Sequence, residues 1–368
     1  MFSIRVLQAD YGDCLILEYS DGGATRYALI DGGPDATYNY SLRSELERIS
    51  NTGGTLDFVA ISHVDEDHIT GVLELFAELE AQHAENQNPL IGVEGIWHNS
   101  FGQTIDSNGG TIRSRFNAVM SNAVGASAMF HSTAALQGIG QGNQLRIKAQ
   151  QLGIHINADF PDDLIITDTA PVWQRANLTI RFVGPSRKNL DQLRQEWEDW
   201  LDRNEAAIAS GDLRVLANSD RSIPNLSSLM WLAEADGRTA LFTGDGRSDH
   251  LLDGLANAGL LDAQGKMHVD VFKVPHHGSD RNGTKTFFRK VTAEIYVISA
   301  NGNPDNPDLS TLIWIVEAAK DQGRSIQLLF TNETPSVQKL RAEYPPDTYG
   351  YLIEIMPADL RSRDIVLS

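Results

Sequence analysis

The chain has 368 residues, 41% of them hydrophobic, enough apolar surface for one large domain or two small ones. Its formal net charge is -19 and it carries no basic stripe. That argues against a protein that grips long nucleic acid, because phosphate neutralisation supplies most of such affinity. No apolar run reaches the roughly 18 residues of a membrane-spanning helix. The single cysteine, Cys14, rules out an intrachain disulfide and a cysteine-built zinc site, and a cytoplasmic setting is expected. Met1 to Gln8 lacks the charged, apolar and small-residue segments of a signal peptide, so none is expected.

Three short alternating segments open the chain, with Ile4 and Val6, Leu15 and Leu17, and Tyr27 and Leu29 each sharing a face. They predict strands separated by turns at Gly12-Asp13 and Asp21-Gly22-Gly23, the third stopping at Asp31-Gly32-Gly33-Pro34. Leu56–Ile61 predicts a buried strand, followed by a polar loop and a helix with Ile69, Val72, Leu73, Phe76 and Leu79 on one face. Ile91 to Trp97 predicts the next strand. From about Gly102 to Asp168 the periodicity weakens, with helix-like stretches near Thr111–Met120 and Leu145–Leu152. Residues 104 to 170 therefore form an expected insertion, partly helical, that reads as a candidate lid or substrate wall or as tolerated surface.

Strands return near Leu178–Val183, Leu229–Leu232, Thr239–Thr243, Val269–Val274 and Ile295–Ser299. Leu190, Leu193, Trp197, Trp200 and Leu201 mark one amphipathic helix, and Leu251, Leu252, Leu255 and Ala258 another. Strands at Gln327–Phe330 and Tyr351–Ile355 are expected to close the chain. Strands followed by helices in both halves predict an α/β fold of two sheets packed face to face, with helices outside.

The strongest chemical signal is Ser62-His63-Val64-Asp65-Glu66-Asp67-His68-Ile69-Thr70-Gly71, between a buried strand and an amphipathic helix. His63, Asp65, Asp67 and His68 place imidazole and carboxylate donors within one short loop, a set suited to zinc, manganese or iron. Helix capping explains one of the aspartates but not two histidines with two aspartates. Asp245, in Thr-Gly-Asp-Gly after an apolar strand, reads either as a ligand or as an ordinary turn residue.

This pattern resembles the metallo-β-lactamase superfamily, whose signature is histidine-x-histidine-x-aspartate-histidine at a strand-to-helix loop. Here Asp65 replaces the second histidine, a variant similar to the branch found in competence-type DNA-uptake proteins. Tyr11-Gly12-Asp13-Cys14-Leu15-Ile16-Leu17 with Leu29-Ile30-Asp31-Gly32-Gly33 resembles that branch's opening hairpin. Asn225–Leu229 with Leu241–Asp245 resembles its central strands, and Lys273-Val274-Pro275-His276-His277-Gly278-Ser279 its late histidine motif. The stretch Asn303-Pro304-Asp305-Asn306-Pro307 departs from it, lacking a histidine found in those relatives.

The resemblance implies a four-layer αβ/βα sandwich and a two-metal centre, zinc first, with manganese or iron as alternatives that Asp65 favours. His63, Asp65 and His98 would hold one ion, and Asp67, His68 and His277 the other. Asp245 would bridge them, with Asp31 supporting the metal loop from behind. His276 would protonate a leaving group, although the sequence leaves the roles of His276 and His277 interchangeable. Asp67 and Asp245 would also organise the nucleophile. Ser279 and Arg281 read equally as substrate contacts or as solvated loop. His83, His131, His155, His250 and His268 lack such company and read as surface or structural residues.

Three functions follow as expectations. The first is hydrolysis of a phosphodiester or other phosphate ester, nucleotides and nucleic acid among the candidates, with a small or short anionic substrate favoured and no membrane partner. The second is hydrolysis of a carboxylic ester, lactone, thioester or amide. The third is a metal-binding interaction module in a larger assembly, against which the completeness of the ligand set argues.

Overall fold

Side-chain alternation builds the first sheet of the computed structural model, which describes residues 1–20, 22–99, 134–209 and 227–367. Strands β1 (Phe2–Leu7), β2 (Leu15–Tyr19) and β3 (Arg26–Ile30) form an antiparallel meander. Helix α1 (Arg43–Asn51) then crosses to β4 (Leu56–Ala60), which runs parallel to β3. Helix α2 (Glu66–Ala84) follows the polar loop, and β5 (Gly95–Trp97) continues the parallel set. The strand expected from Ile91 is shorter, because Val93 makes only an isolated bridge to Leu56.

The described part of the expected insertion is tied into this half. Helix α3 (Ala134–Gln151) packs on α2 through Leu145 and Ala149, both fully buried. Lys148 pairs with Glu80, and Gln141 donates to Thr70. Strand β6 (His155–Ile156) then pairs with β5. The helix-like stretch Thr111–Met120 lies outside the described residues.

The second sheet begins with β7 (Trp173–Arg175) and β8 (Leu178–Gly184), an antiparallel pair. Helix α4 (Arg187–Ala209) follows, with Leu190 and Leu193 buried. Strands β9 (Met230–Ala235) and β10 (Arg238–Phe242) are antiparallel. From β10 onward helices alternate with parallel strands: α5 (Ser248–Asn257), β11 (Met267–Lys273), α6 (Lys285–Lys290), β12 (Val291–Ile298), α7 (Leu309–Asp321) and β13 (Ile326–Phe330). Helices α8 (Pro335–Glu343) and α9 (Pro346–Tyr349) lead to β14 (Tyr351–Ile355), the edge of this sheet.

One further strand corrects the expected ending. β15 (Ser362–Val366) returns to the first sheet and pairs antiparallel with β1. Its sequence, Ser-Arg-Asp-Ile-Val, keeps only one buried residue, so it carries no apolar alternation to reveal it. Among the described residues the sheets run β15-β1-β2-β3-β4-β5-β6 and β14-β13-β12-β11-β10-β9-β8-β7.

Three apolar layers hold these elements together. Between the sheets lie Phe2, Ile4, Leu17 and Phe58 from one side and Ile180, Trp231, Phe242 and Val271 from the other. Outside the first sheet, α1, α2 and α3 cover Ile16, Leu29, Val59 and Ile61. Outside the second, α5 to α8 cover Leu241, Phe272, Tyr296 and Leu328. The result is the α/β/β/α sandwich that the resemblance implied, consistent with the metallo-β-lactamase fold. Parallel strands β3, β4 and β5 of one sheet and β10 and β11 of the other aim their carboxyl ends at a shared edge, where loops can carry chemistry without disturbing the core.

Candidate metal centre

Each sequence-named residue, His98 apart, reaches this edge within contact distance of another. β4 ends at Ala60, and Ser62 and His63 follow directly. Asp65 occupies the N-cap position of α2 but makes no side-chain capping bond. Its Oδ2 instead lies 3.5 Å from His63 Nε2, while its Oδ1 is buried without a partner. An aspartate kept for capping would bond the first free amides of the helix, so capping does not account for Asp65.

Asp245 is the meeting point. Its Oδ1 lies 3.3 Å from His68 Nε2 and 3.6 Å from His277 Nε2. Its Oδ2 lies 3.4 Å from His276 Nε2 and 3.6 Å from His63 Nε2. Four imidazoles from two segments, His63 and His68 after β4 and His276 and His277 after β11, thus surround one buried carboxylate. Gly244 permits the approach, with φ +47 and a position where a Cβ would meet Ser62 Cβ at 2.6 Å. Asp67 completes the other side, its Oδ2 at 3.1 Å from His277 Nε2 and its Oδ1 at 3.8 Å from His68 Nε2.

Outer partners fix the rings. Asp31 accepts from Ser62 N at 2.7 Å and from Ser62 Oγ at 2.8 Å, and its Oδ2 lies 2.9 Å from His68 Nδ1. His277 Nδ1 donates to Ser299 O at 2.9 Å, and His276 Nδ1 meets Asn282 Oδ1 at 2.8 Å. Each of these contacts engages Nδ1 and leaves Nε2 for the centre, the arrangement that orients ligating histidines. Asp31, His276 and His277 have φ of 56, 50 and 53, so three non-glycine residues hold left-handed backbone at this one edge. Adjacent strand residues point apart, but the left-handed turn brings both histidines onto Asp245, one on each oxygen.

His98 stands apart from this cluster. It follows β5 and is fully buried, and neither ring nitrogen has a hydrogen-bond partner. Gly142 of α3 lies over it, a Cβ there falling 3.3 Å from Nε2. Burial, then Arg146 and His63, push its pKa down to about 3, so the ring is neutral. It belongs to neither group of side chains whose donor atoms fall within 4.8 Å of one another.

The charge state of the rest is set by mutual attraction. Burial alone would raise Asp245, but His276, His68, His277 and His63 hold it well below the ordinary carboxylate value. Asp67 is lowered in the same way against its burial, by His68 and His277. Burial would lower His68 and His277, yet the surrounding carboxylates raise both.

Two residues escaped the sequence reading as site members. Asp13, between β1 and β2, is 1% exposed and pairs with Lys273 Nζ at 2.5 Å. Lys273 ends β11 and is equally enclosed, at 2%. The available signal was a charged residue inside each of two apolar runs, Asp-Cys-Leu-Ile-Leu and Val-Phe-Lys-Val.

The cluster suits a metal ion. His63 Nε2, His68 Nε2, His277 Nε2, Asp65 Oδ1 and Asp245 Oδ1 are buried polar atoms with no hydrogen-bond partner. Buried polar atoms are nearly always paired, so five orphans on residues gathered at this one edge mark a place for a ligand that accepts lone pairs. His63, Asp67 and His68 form one compact group, and His68, Asp245 and His277, with Asp13, form another.

Comparison with known families agrees with this part of the chain. Residues 8–105 match the model described as the metallo-beta-lactamase superfamily. That span holds Asp13, Asp31, His63–His68 and His98, while Asp245 and His277 lie beyond it. No curated protein matches the chain. The chain therefore presents a match to the metallo-beta-lactamase superfamily model over residues 8–105, together with a buried histidine and aspartate cluster compatible with metal binding.

Proposed function

We propose that the chain is a metal-dependent hydrolase acting on a phosphodiester or another phosphate ester of small or short anionic type. The convergence of unpartnered, buried imidazole nitrogens on both oxygens of Asp245 carries the catalytic reading. His63, Asp65 and Asp245 would hold one divalent ion, with His98 outside that set. Asp67, His68, His277 and Asp245 would hold a second, zinc by the chemistry of imidazole and carboxylate donors, with manganese or iron able to replace it. Divalent ions there would supply Lewis acidity and a nucleophile drawn from water near neutral pH.

The chain's own residues do the remaining work. Asp31 and the Ser299 carbonyl hold His68 and His277 in the tautomer that turns Nε2 inward. The Asn282 amide oxygen takes the Nδ1 proton of His276, and Asn282 Nδ2 donates to Asp245 O at 2.8 Å. His276 therefore presents Nε2 to the centre. At 24% side-chain exposure it is the one histidine of the cluster open to a substrate, placed to hand a proton to a leaving group.

Three features bear on the substrate class. The Asp65 variant and the His276-His277-Gly278-Ser279 motif resemble a phosphoester-cleaving branch. Arg281 is exposed, two residues past the buried Ser279, with no ion pair among the described residues. A net charge of -19 disfavours long polyanions.

The test is a substrate panel. Metal-depleted protein reloaded with zinc, manganese or iron should hydrolyse a chromogenic phosphodiester and be inert without metal. Turnover of a lactone or thioester in its place would move the reading to carboxylic substrates. Inertness across all classes and metals would favour a metal-binding interaction module.

A further inference from the structure

Asp13 lies within reach of three proposed ligands, His68, Asp245 and His277, yet it faces them from the wrong side to be one. Its nearest ring atoms are His68 Nδ1 at 3.9 Å and His277 Nδ1 at 3.7 Å. Those nitrogens are engaged with Asp31 and with the Ser299 carbonyl, while the metal-facing Nε2 atoms point toward Asp67 and Asp245. Asp13 thus sits behind both rings. Its Oδ2 pairs with Lys273 Nζ, which also donates to the Val274 carbonyl at 3.0 Å.

The pair joins the two halves of the sandwich. Asp13 stands on the β1–β2 loop of the first sheet, and Lys273 ends β11 of the second, four residues before His277. The Asp13 amide donates to the Asp67 carbonyl at 3.1 Å. Gly12 allows that contact, because a Cβ there would fall 2.0 Å from Asp67 O. One short segment therefore touches the backbone of Asp67, the back of His68 and, through Lys273, the strand that delivers His277. A buried pair with both charges in place costs about as much desolvation as its attraction returns, so stability alone gives little reason to keep it.

We infer that the Asp13–Lys273 pair is a positioning element of the metal centre, a cross-sheet strut that sets the distance between the Asp67–His68 half and the His277 half. This rests on the metal-centre reading above. Removing support behind ligating histidines typically weakens metal binding by roughly 10–100-fold.

The test measures zinc affinity by competition with a chromogenic chelator, alongside the melting temperature of the metal-free chain. Asp13→Asn leaves Lys273 buried without its counter-charge and stands to lose the fold, so the neutral double variant Asp13→Asn with Lys273→Met decides. That double variant should melt near the unaltered metal-free chain and bind zinc at least tenfold more weakly. Zinc binding equal to the unaltered chain would overturn the inference. A double variant that does not fold would overturn it too, because the pair would then support the whole sandwich rather than the centre. Failure of the unaltered chain to bind zinc would instead sink the metal-centre reading itself.

Discussion

Asp245 bears the largest share of the centre, since four imidazole nitrogens lie within 3.6 Å of its two oxygens. Asp245→Ala should abolish metal retention and reduce turnover by orders of magnitude while circular dichroism stays unchanged. An activity that survives this exchange would place the chemistry elsewhere. Asp67→Ala should have a similar effect on turnover, because among the described residues no other carboxylate approaches His277 Nε2 as closely as the 3.1 Å of Asp67. Protons and metal compete for the same nitrogens. In the metal-free chain burial would lower His68 and His277, but the carboxylates outweigh it and hold both above the ordinary histidine value. Their protonated forms thus persist above about pH 6.5. Apparent metal affinity should therefore climb with pH through that value and beyond, as a titration by calorimetry at several pH values would show. Flat affinity from pH 6 to 8 would contradict the charge assignment.

Elements with strong periodicity were legible from the chain alone, and those without it were not. β1 to β3 could be read from alternating residues, β4 from its mostly apolar run and α2 from its apolar face. β15 and the two-residue β6 could not, since pairing to a neighbour rather than apolar alternation defines them. At the site, the His63–His68 loop was legible because its ligands are close in sequence. Asp13 and Lys273 were not, because 260 residues separate them and only the packing of two sheets brings them together. Helix α3 was expected as part of a lid or wall, and its described residues are anchored in place, with Leu145 and Ala149 buried against α2. Leu145→Ala should cost about 2–5 kcal/mol in denaturant unfolding, the usual range for a buried leucine. A cost under about 1 kcal/mol would mean that α3 is only loosely applied. Limited proteolysis should not release residues 104 to 170 as a stable folded piece, because α3 and β6 depend on α2 and β5.

At the scale of the molecule, two sheets each contribute half of one centre. The first supplies His63, Asp65, Asp67 and His68, and the second Asp245, His276 and His277. A ligand that binds only when the halves are assembled stabilises the assembly by mass action, about 2.7 kcal/mol at a free concentration 100 times its dissociation constant. The melting temperature should accordingly rise with added zinc and fall back with a chelator. No transition-metal response would speak against a centre shared between sheets. The most direct measurement is anomalous scattering from crystals of the metal-loaded chain, collected on either side of the metal's absorption edge. A peak bounded by His68, Asp245 and His277 is expected, with a second permitted beside His63 and Asp65. A metal-loaded chain with no peak there, or with its metal elsewhere, would contradict the metal-centre reading.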